Sequence, residues 1–173
     1  MRMMIHGCAI PYAFGMCATI PHYSLRLATP DDAEAIARHR AQMFRDMSAV
    51  TDEEAETLFA ASVPWFRDLL STELYVGWLV LCDEEIVAGG GIHLREMGPV
   101  PGCLRVGRWG HIANIYTAPA HRRRGVARLL METMLAWSEA HQVDHVTLAA
   151  SEDGRRLYES MGFIPTPDMK LRR

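Results

Sequence analysis

The first regular pattern in the chain is an alternation. Ser24-Leu-Arg-Leu-Ala28 puts its leucines on one side and its polar residues on the other, the period of a half-buried strand. Thr29-Pro30-Asp31-Asp32 then reads as a helix start, with a hydroxyl cap, proline at the first helical position and acids in the first turn. Ile36, Arg40, Met43, Phe44 and Met47 follow at helical spacing. Thr51-Asp-Glu-Glu54 is a capping box that opens a second helix carrying Leu58, Phe59 and Ala61. Pro64 is expected to break or restart that helix before Trp65-Phe66-x-x-Leu69.

The period then changes to two. Tyr75–Cys82 and Ile86–Leu94 read as a hairpin turning at Asp83-Glu84-Glu85. Gly89-Gly90-Gly91 would weaken its second strand, so a bulge or a close backbone approach is expected there. Arg95–Arg108, rich in glycine and proline, reads as a loop, and Trp109–Thr117 as a fourth strand. Pro119 forbids continuing it as an inner strand. After three arginines and a glycine, Val126, Leu129, Leu130, Thr133, Met134 and Trp137 form one helical face. His145–Ala150 alternates again as a fifth strand, and the helical crossover between makes the two strands parallel. Ser151 caps a last helix through Leu157, Tyr158 and Met161, which stops at Gly162-Phe163. Thr166-Pro167-Asp168 is expected to turn a final hairpin ending in Met169-Lys-Leu171. The resulting order over residues 24–173 is β-α-α-β-β-β-α-β-α-β-β.

Residues 1–23 differ from the rest: one charge (Arg2), four methionines and no acid. Pro11 and Tyr12 interrupt the apolar run and no Ala-x-Ala site follows, which argues against a signal peptide. Two readings stand: an extension lying on the domain, or an upstream start with Met16 nearer the true one.

The stretch Ile112–Ala127 organises the chain, because the strand, the cationic turn and the helix start together make a phosphate cradle. The unpaired N–H groups of the first helical turn and the helix dipole favour an anion. Gly125 carries no side chain to block its approach. Arg122-x-x-Gly125-x-Ala127 resembles the Arg/Gln-x-x-Gly-x-Gly/Ala motif of the GCN5-related N-acetyltransferase (GNAT) family. Ser151-x-x-Gly154-x-x-Leu157-Tyr158-x-x-x-Gly162-Phe163 resembles that family's second motif, whose common form has Asn and Ala at 151 and 154. The resemblance implies an α/β (α+β) fold: a mixed, mostly antiparallel sheet with a parallel β-α-β crossover and helices on both faces.

It also implies acetyl-CoA as co-substrate and no metal. Arg122, Arg123, Arg124, Gly125, Val126 and Ala127 would cradle the pyrophosphate, with Ile115, Tyr116, Thr117, Ser151 and Arg155 contributing elsewhere to the cofactor. A backbone N–H at Ile115 or Tyr116 would hold the thioester oxygen, and Tyr158 would protonate the departing sulfur. The family often uses a glutamate of the fourth strand as base; here that strand has no acid, and His111 stands there with an ordinary pKa near 6.5. His93 is the rival. Met43, Phe44, Met47 and Trp65 are candidate acceptor-cleft residues, although helical spacing alone makes them core.

Composition narrows the functions. At 173 residues the chain makes one domain, and no apolar run approaches the length of a membrane span. A net charge of −3 argues against general nucleic-acid binding. Four cysteines without Cys-x-x-Cys spacing, and eight histidines without a ligand pattern, suggest spectator thiols in a reducing cytoplasm and no metal centre. The expected activity is acetyl transfer to a small-molecule amine or amino acid. A non-catalytic acyl-CoA-binding domain and an acetyltransferase acting on aminoacyl-tRNA are the alternatives, and a homodimer stays open.

Overall fold

A computed structural model describes residues 22–169 and 171, so the expectation for the N-terminal extension lies, except at His22 and Tyr23, outside the described residues. The elements are β1 (Tyr23–Leu27), α1 (Ala33–Asp46), α2 (Asp52–Ser71), β2 (Tyr75–Cys82), β3 (Glu85–Met97), β4 (Gly107–Thr117), α3 (Val126–Ala140), β5 (His145–Leu148) and α4 (Glu152–Ser160), with single 3-10 turns at Pro30–Asp32 and Pro119–His121. The five strands lie in the order β1-β2-β3-β4-β5, antiparallel except for the parallel β4–β5 pair.

Alternation in the strands divides the core into two layers. Trp78, Val80 and Cys82 point to one side and meet Leu130, Met131 and Met134 of α3 and Tyr158 of α4. Tyr75 and Leu79 point to the other and meet Ala33, Ile36 and Ala37 of α1 and Phe66 of α2. Helices therefore cover both faces. Burying each of the larger side chains in this way is worth roughly 1.5–3 kcal/mol.

The caps read in the sequence form. Thr51 Oγ1 accepts from the Glu54 N–H (3.2 Å), and Glu54 Oε2 accepts from the Thr51 N–H (2.7 Å). Asp32 accepts from the Thr29 N–H (2.8 Å) and takes Arg26 on both oxygens (2.8 Å each), which holds its carboxyl near a pKa of about 2.

Three expectations differ. α2 runs through Pro64 without a break, because Ala55, Ser62 and Phe66 anchor it on both sides of the proline and packing outweighs the lost bond. The β3–β4 hairpin is longer than its apolar pattern: Arg95, Glu96 and Met97 pair with Trp109, Arg108 and Gly107, leaving residues 98–106 as the loop. Backbone pairing continues there although the side chains are largely solvated. Finally, no strand follows α4 among the described residues, so the expected last hairpin is not formed there. Pro165 and Pro167 remove two N–H donors that a ladder through this segment would need.

Candidate active site

A bulge in β4 sets the geometry. Gly89 pairs with Tyr116 and Gly91 with Ala113, so Asn114 and Ile115 together face the single residue Gly90. Asn114 adopts φ +60°, and its side chain is 4% exposed. A buried amide needs partners, and it has two: Arg40 Nη1 donates to Oδ1 (2.6 Å), and Nδ2 donates to the Tyr75 hydroxyl (3.4 Å). The triple glycine of β3 is explained here. A Cβ on Gly90 would strike Ile115, and one on Gly91 would strike the Tyr75 ring.

β5 pairs with β4 only as far as Ile112↔Leu148. Ala113 through Thr117 therefore have β3 on one side and no strand on the other. Ile115, Tyr116 and Thr117 all lie in this stretch, beside the bulge. Backbone donors fixed in such a place can meet a ligand oxygen without reorganising.

On the α1–α2 face, His93 and His111 are cross-strand partners. The His93 ring stacks on Trp65 (5.4 Å between centroids) and lies against Tyr75 (4.7 Å). Burial, reinforced by His111 and Arg40, pushes its pKa down to about 4. His111 is more open, and its Nδ1 is 3.0 Å from Thr147 Oγ1. Burial and the charge of Arg95 also lower its pKa, so both imidazoles are neutral at pH 7. Of the expected cleft residues, Trp65 is 43% exposed and Phe44 lies under Arg40, whereas Met47 points to solvent. Helical spacing assigned Trp65 and Met47 to the core; α2 instead turns Trp65 toward an open cavity of about 730 Å³ that Arg40, Leu58, Ala61, Glu53 and Glu54 also line.

The other end of β4 runs into the cationic turn. Arg123 (φ +62°) and Gly125 (φ +81°) both adopt left-handed backbone, and Gly125 caps α3. A Cβ built on Gly125 would meet nothing within 4 Å. Glycine is kept here by the dihedral, and the space before it is open. The N–H groups of Val126, Ala127 and Arg128 precede the first intrahelical donor, Leu129, and face the same opening. Arg123 and Arg124 have no acidic partner among the described residues. Arg122 Nε donates to the Thr117 carbonyl (2.9 Å), and its Nη2 pairs with Asp46 at the end of α1. It braces β4 against α1.

Tyr158 is 8% exposed, and burial raises its pKa, so it stays a phenol across the neutral range. It packs in the same cluster as Ile115, and its hydroxyl has no protein partner among the described residues. Ser151 caps α4, accepting from the Gly154 N–H (3.2 Å). Arg155 lies along the exposed side of α4, 3.9 Å from Glu159. No group of three or more metal-ligating side chains occurs among the described residues, and no helix there is long and apolar enough to cross a membrane.

Sequence reasoning missed Asn114, Arg40 and Tyr75. The available signal was the one polar residue inside the apolar run Ile112-Ala-Asn-Ile115; an amide there needs a buried partner from elsewhere in the chain.

The acetyltransferase (GNAT) family profile matches residues 34–163. No curated protein matches the chain. Among solved structures, a GCN5-related N-acetyltransferase from Ralstonia eutropha JMP134 is 32% identical, with a TM-score of 0.78 over 88% of this chain and 99% of its own. A predicted acetyltransferase from Clostridium acetobutylicum, solved with acetyl-CoA, is 23% identical with a TM-score of 0.77, covering 88% and 96%. An aminoglycoside N-acetyltransferase solved with CoA shares the fold at 16% identity and a TM-score of 0.64, covering 91% and 98%. The chain belongs to the GCN5-related N-acetyltransferase family and is an acyltransferase.

Proposed function

We propose that this enzyme transfers an acetyl group from acetyl-CoA directly to the amine of a small molecule or amino acid. The observation that carries the reading is the β4 bulge, which sits beside a strand edge left unpaired where β5 ends, with the open α3 N-terminus following β4 and Arg40 linking the bulge residue Asn114 to the cavity along α2. The residues present fit acetyl-CoA, since Gly125 leaves room for a phosphate and the first-turn N–H groups lack partners. Val126, Ala127 and Arg128 would take the pyrophosphate through their backbones, with Arg123 and Arg124 supplying charge. Arg122 would contribute by fixing the turn. Small-molecule acceptors agree with the names of two fold relatives, the aminoglycoside enzyme and a glucosamine-6-phosphate N-acetyltransferase from Arabidopsis thaliana.

Each residue then has one task. The N–H of Ile115 or Tyr116 holds the thioester oxygen as it gains charge; losing one such donor typically costs a few kcal/mol of barrier. His111, neutral at pH 7 and exposed to the cleft, accepts the amine proton directly or through water. The N–C bond forms, the C–S bond breaks, and Tyr158 gives its proton to sulfur. His111 passes its proton to water and water returns one to the tyrosine, so both side chains are restored and the products are an amide and a free thiol. His93, a much weaker base with a pKa of about 4, shapes the cleft instead.

The test is thiol release from acetyl-CoA with a panel of amines, amino acids, polyamines and aminoglycosides. Release that depends on the acceptor, with mass spectrometry showing one acetyl added, is expected. Tight acetyl-CoA binding with no turnover of any amine would favour a binding domain instead.

A further inference from the structure

Resting on that reading, we propose that the acceptor is an amino acid whose carboxylate pairs with Arg40 and whose side chain lies in the cavity along α2. Among the described residues only two arginines are not exposed, Arg40 and Arg45. Arg45 is paired, at 3.0 Å from Asp52 and 3.7 Å from Glu56. Even exposed arginines such as Arg26, Arg105 and Arg122 have acidic partners. Arg40 has none. Its guanidinium lies over Phe44 (4.9 Å) and Trp65 (5.6 Å), with one nitrogen given to Asn114. A guanidinium carries five N–H donors and cannot shed its proton, so a half-buried one without a counterion is poised for an anion. Arg40 also lines the cavity.

The surroundings choose the anion. Arg40 donates to Asn114, and Asn114 forms the bulge where the thioester oxygen is held. A carboxylate on Arg40 therefore puts an amine one carbon away beside the reacting centre, as in an α-amino acid. Planar carboxylate also matches the guanidinium fork. The titratable groups beside Arg40, His93 and the buried Tyr75 phenol, bring no negative charge to compete. Leu58 and Ala61 give the cavity apolar walls, and Glu53 stands at its outer end. Glu54 is there too, but its carboxylate is held by the Thr51 N–H. From Trp65 to Glu54 is roughly 16 Å along the helix, at about 1.5 Å per residue. A long side chain fits, apolar along its length and neutral or basic at its tip.

The experiment uses matched pairs that differ only by the carboxylate: L-leucine with isopentylamine, and L-lysine with cadaverine. With saturating acetyl-CoA, the wild-type enzyme is expected to prefer the amino acid in kcat/KM by about 30- to 100-fold, the value of a charged hydrogen-bonded pair. Arg40→Met should collapse that ratio toward one, mainly through KM for the amino acid, and Arg40→Lys should restore part of it. If both members of each pair fall equally, Arg40 only props Asn114 and the proposal is overturned. A wild-type preference for the decarboxylated amine also overturns it. So does the absence of heat when CoA-loaded enzyme is titrated with either amino acid in a calorimeter. No thiol release with any acceptor and no acetyl-CoA binding would instead count against acetyl transfer itself.

Discussion

Tyr158→Phe removes one oxygen from a ring held on all sides. The ring is 8% exposed, lies edge-on to Phe163 (6.2 Å between centroids), and would be touched at 2.7 Å by a Cβ on Gly154. Because the hydroxyl has no protein partner among the described residues, its loss should change stability by less than about 1 kcal/mol. Acetyl-CoA affinity should also survive. The effect is expected in kcat, since a thiolate leaving into a poorly solvated cleft then has no positioned proton donor. Such transfer is worth about 10²–10⁴ in rate, or roughly 3–5 kcal/mol of barrier. Thiol release at saturating acetyl-CoA and acceptor measures kcat, while a thermal melt and a calorimetric CoA titration check the fold and the site. A Tyr158→Phe enzyme with full kcat, or one that loses stability in step with activity, would refute the assignment.

Three further outcomes are expected. His111→Ala should remove the acidic limb of the pH–rate profile, and that limb should lie below pH 6.5 in the wild type because burial and Arg95 depress the imidazole; an unaltered limb in the variant transfers the role to water. His39 and His93, each held neutral by burial to a pKa of about 4, should make stability fall on acidification. Their depressed folded pKa means the unfolded chain binds protons first, so the loss runs from pH 6.5 down to about 4 and reaches up to about 3 kcal/mol per histidine. Denaturant titrations showing a flat profile between pH 6.5 and 5, above the range where Asp32 begins to contribute, contradict it. Asp46→Ala should cost under about 1 kcal/mol, as exposed ion pairs do, and should tighten acetyl-CoA binding by removing an acid from beside the cationic turn; weaker binding would show that the brace on Arg122 is needed.

Local features of the chain were legible where one physical rule acts alone. The Thr51 and Ser151 caps and the parallel crossover follow from hydrogen-bonding capacity and connection length, whereas Gly125, read as part of the first helical turn, is the left-handed cap before it. Gly89-Gly90-Gly91 pointed to a close approach, and Ile115 and Tyr75 are the groups that approach. What the sequence did not yield depends on distant partners. Nothing near Asn114 in the chain says that Arg40, 74 positions earlier, completes its hydrogen bonds. Nothing near Arg122 says that Asp46 will hold it. Pro64 misled because helix propensity is a local term, and Phe66 and Ala55 bind α2 to the core more strongly than one lost bond weakens it. Trp65 misled in the other direction: its helical spacing marks a buried face, but α2 seats Ala55, Ser62 and Phe66 in the core and leaves Trp65 beside the open cavity.

The central claim is that the α3 N-terminus receives the phosphates of acetyl-CoA, and calorimetric titration of the Gly125→Asp enzyme with CoA tests it most directly. The change forces a side chain onto φ +81° and aims a negative charge into the open space before the first-turn N–H groups. Gly102→Asp is the control, with φ +91° and equal freedom around it but in the loop between β3 and β4. The account predicts one CoA bound per wild-type chain, similar binding by Gly102→Asp, and affinity weakened at least about tenfold in Gly125→Asp. Unchanged CoA affinity in Gly125→Asp would contradict it.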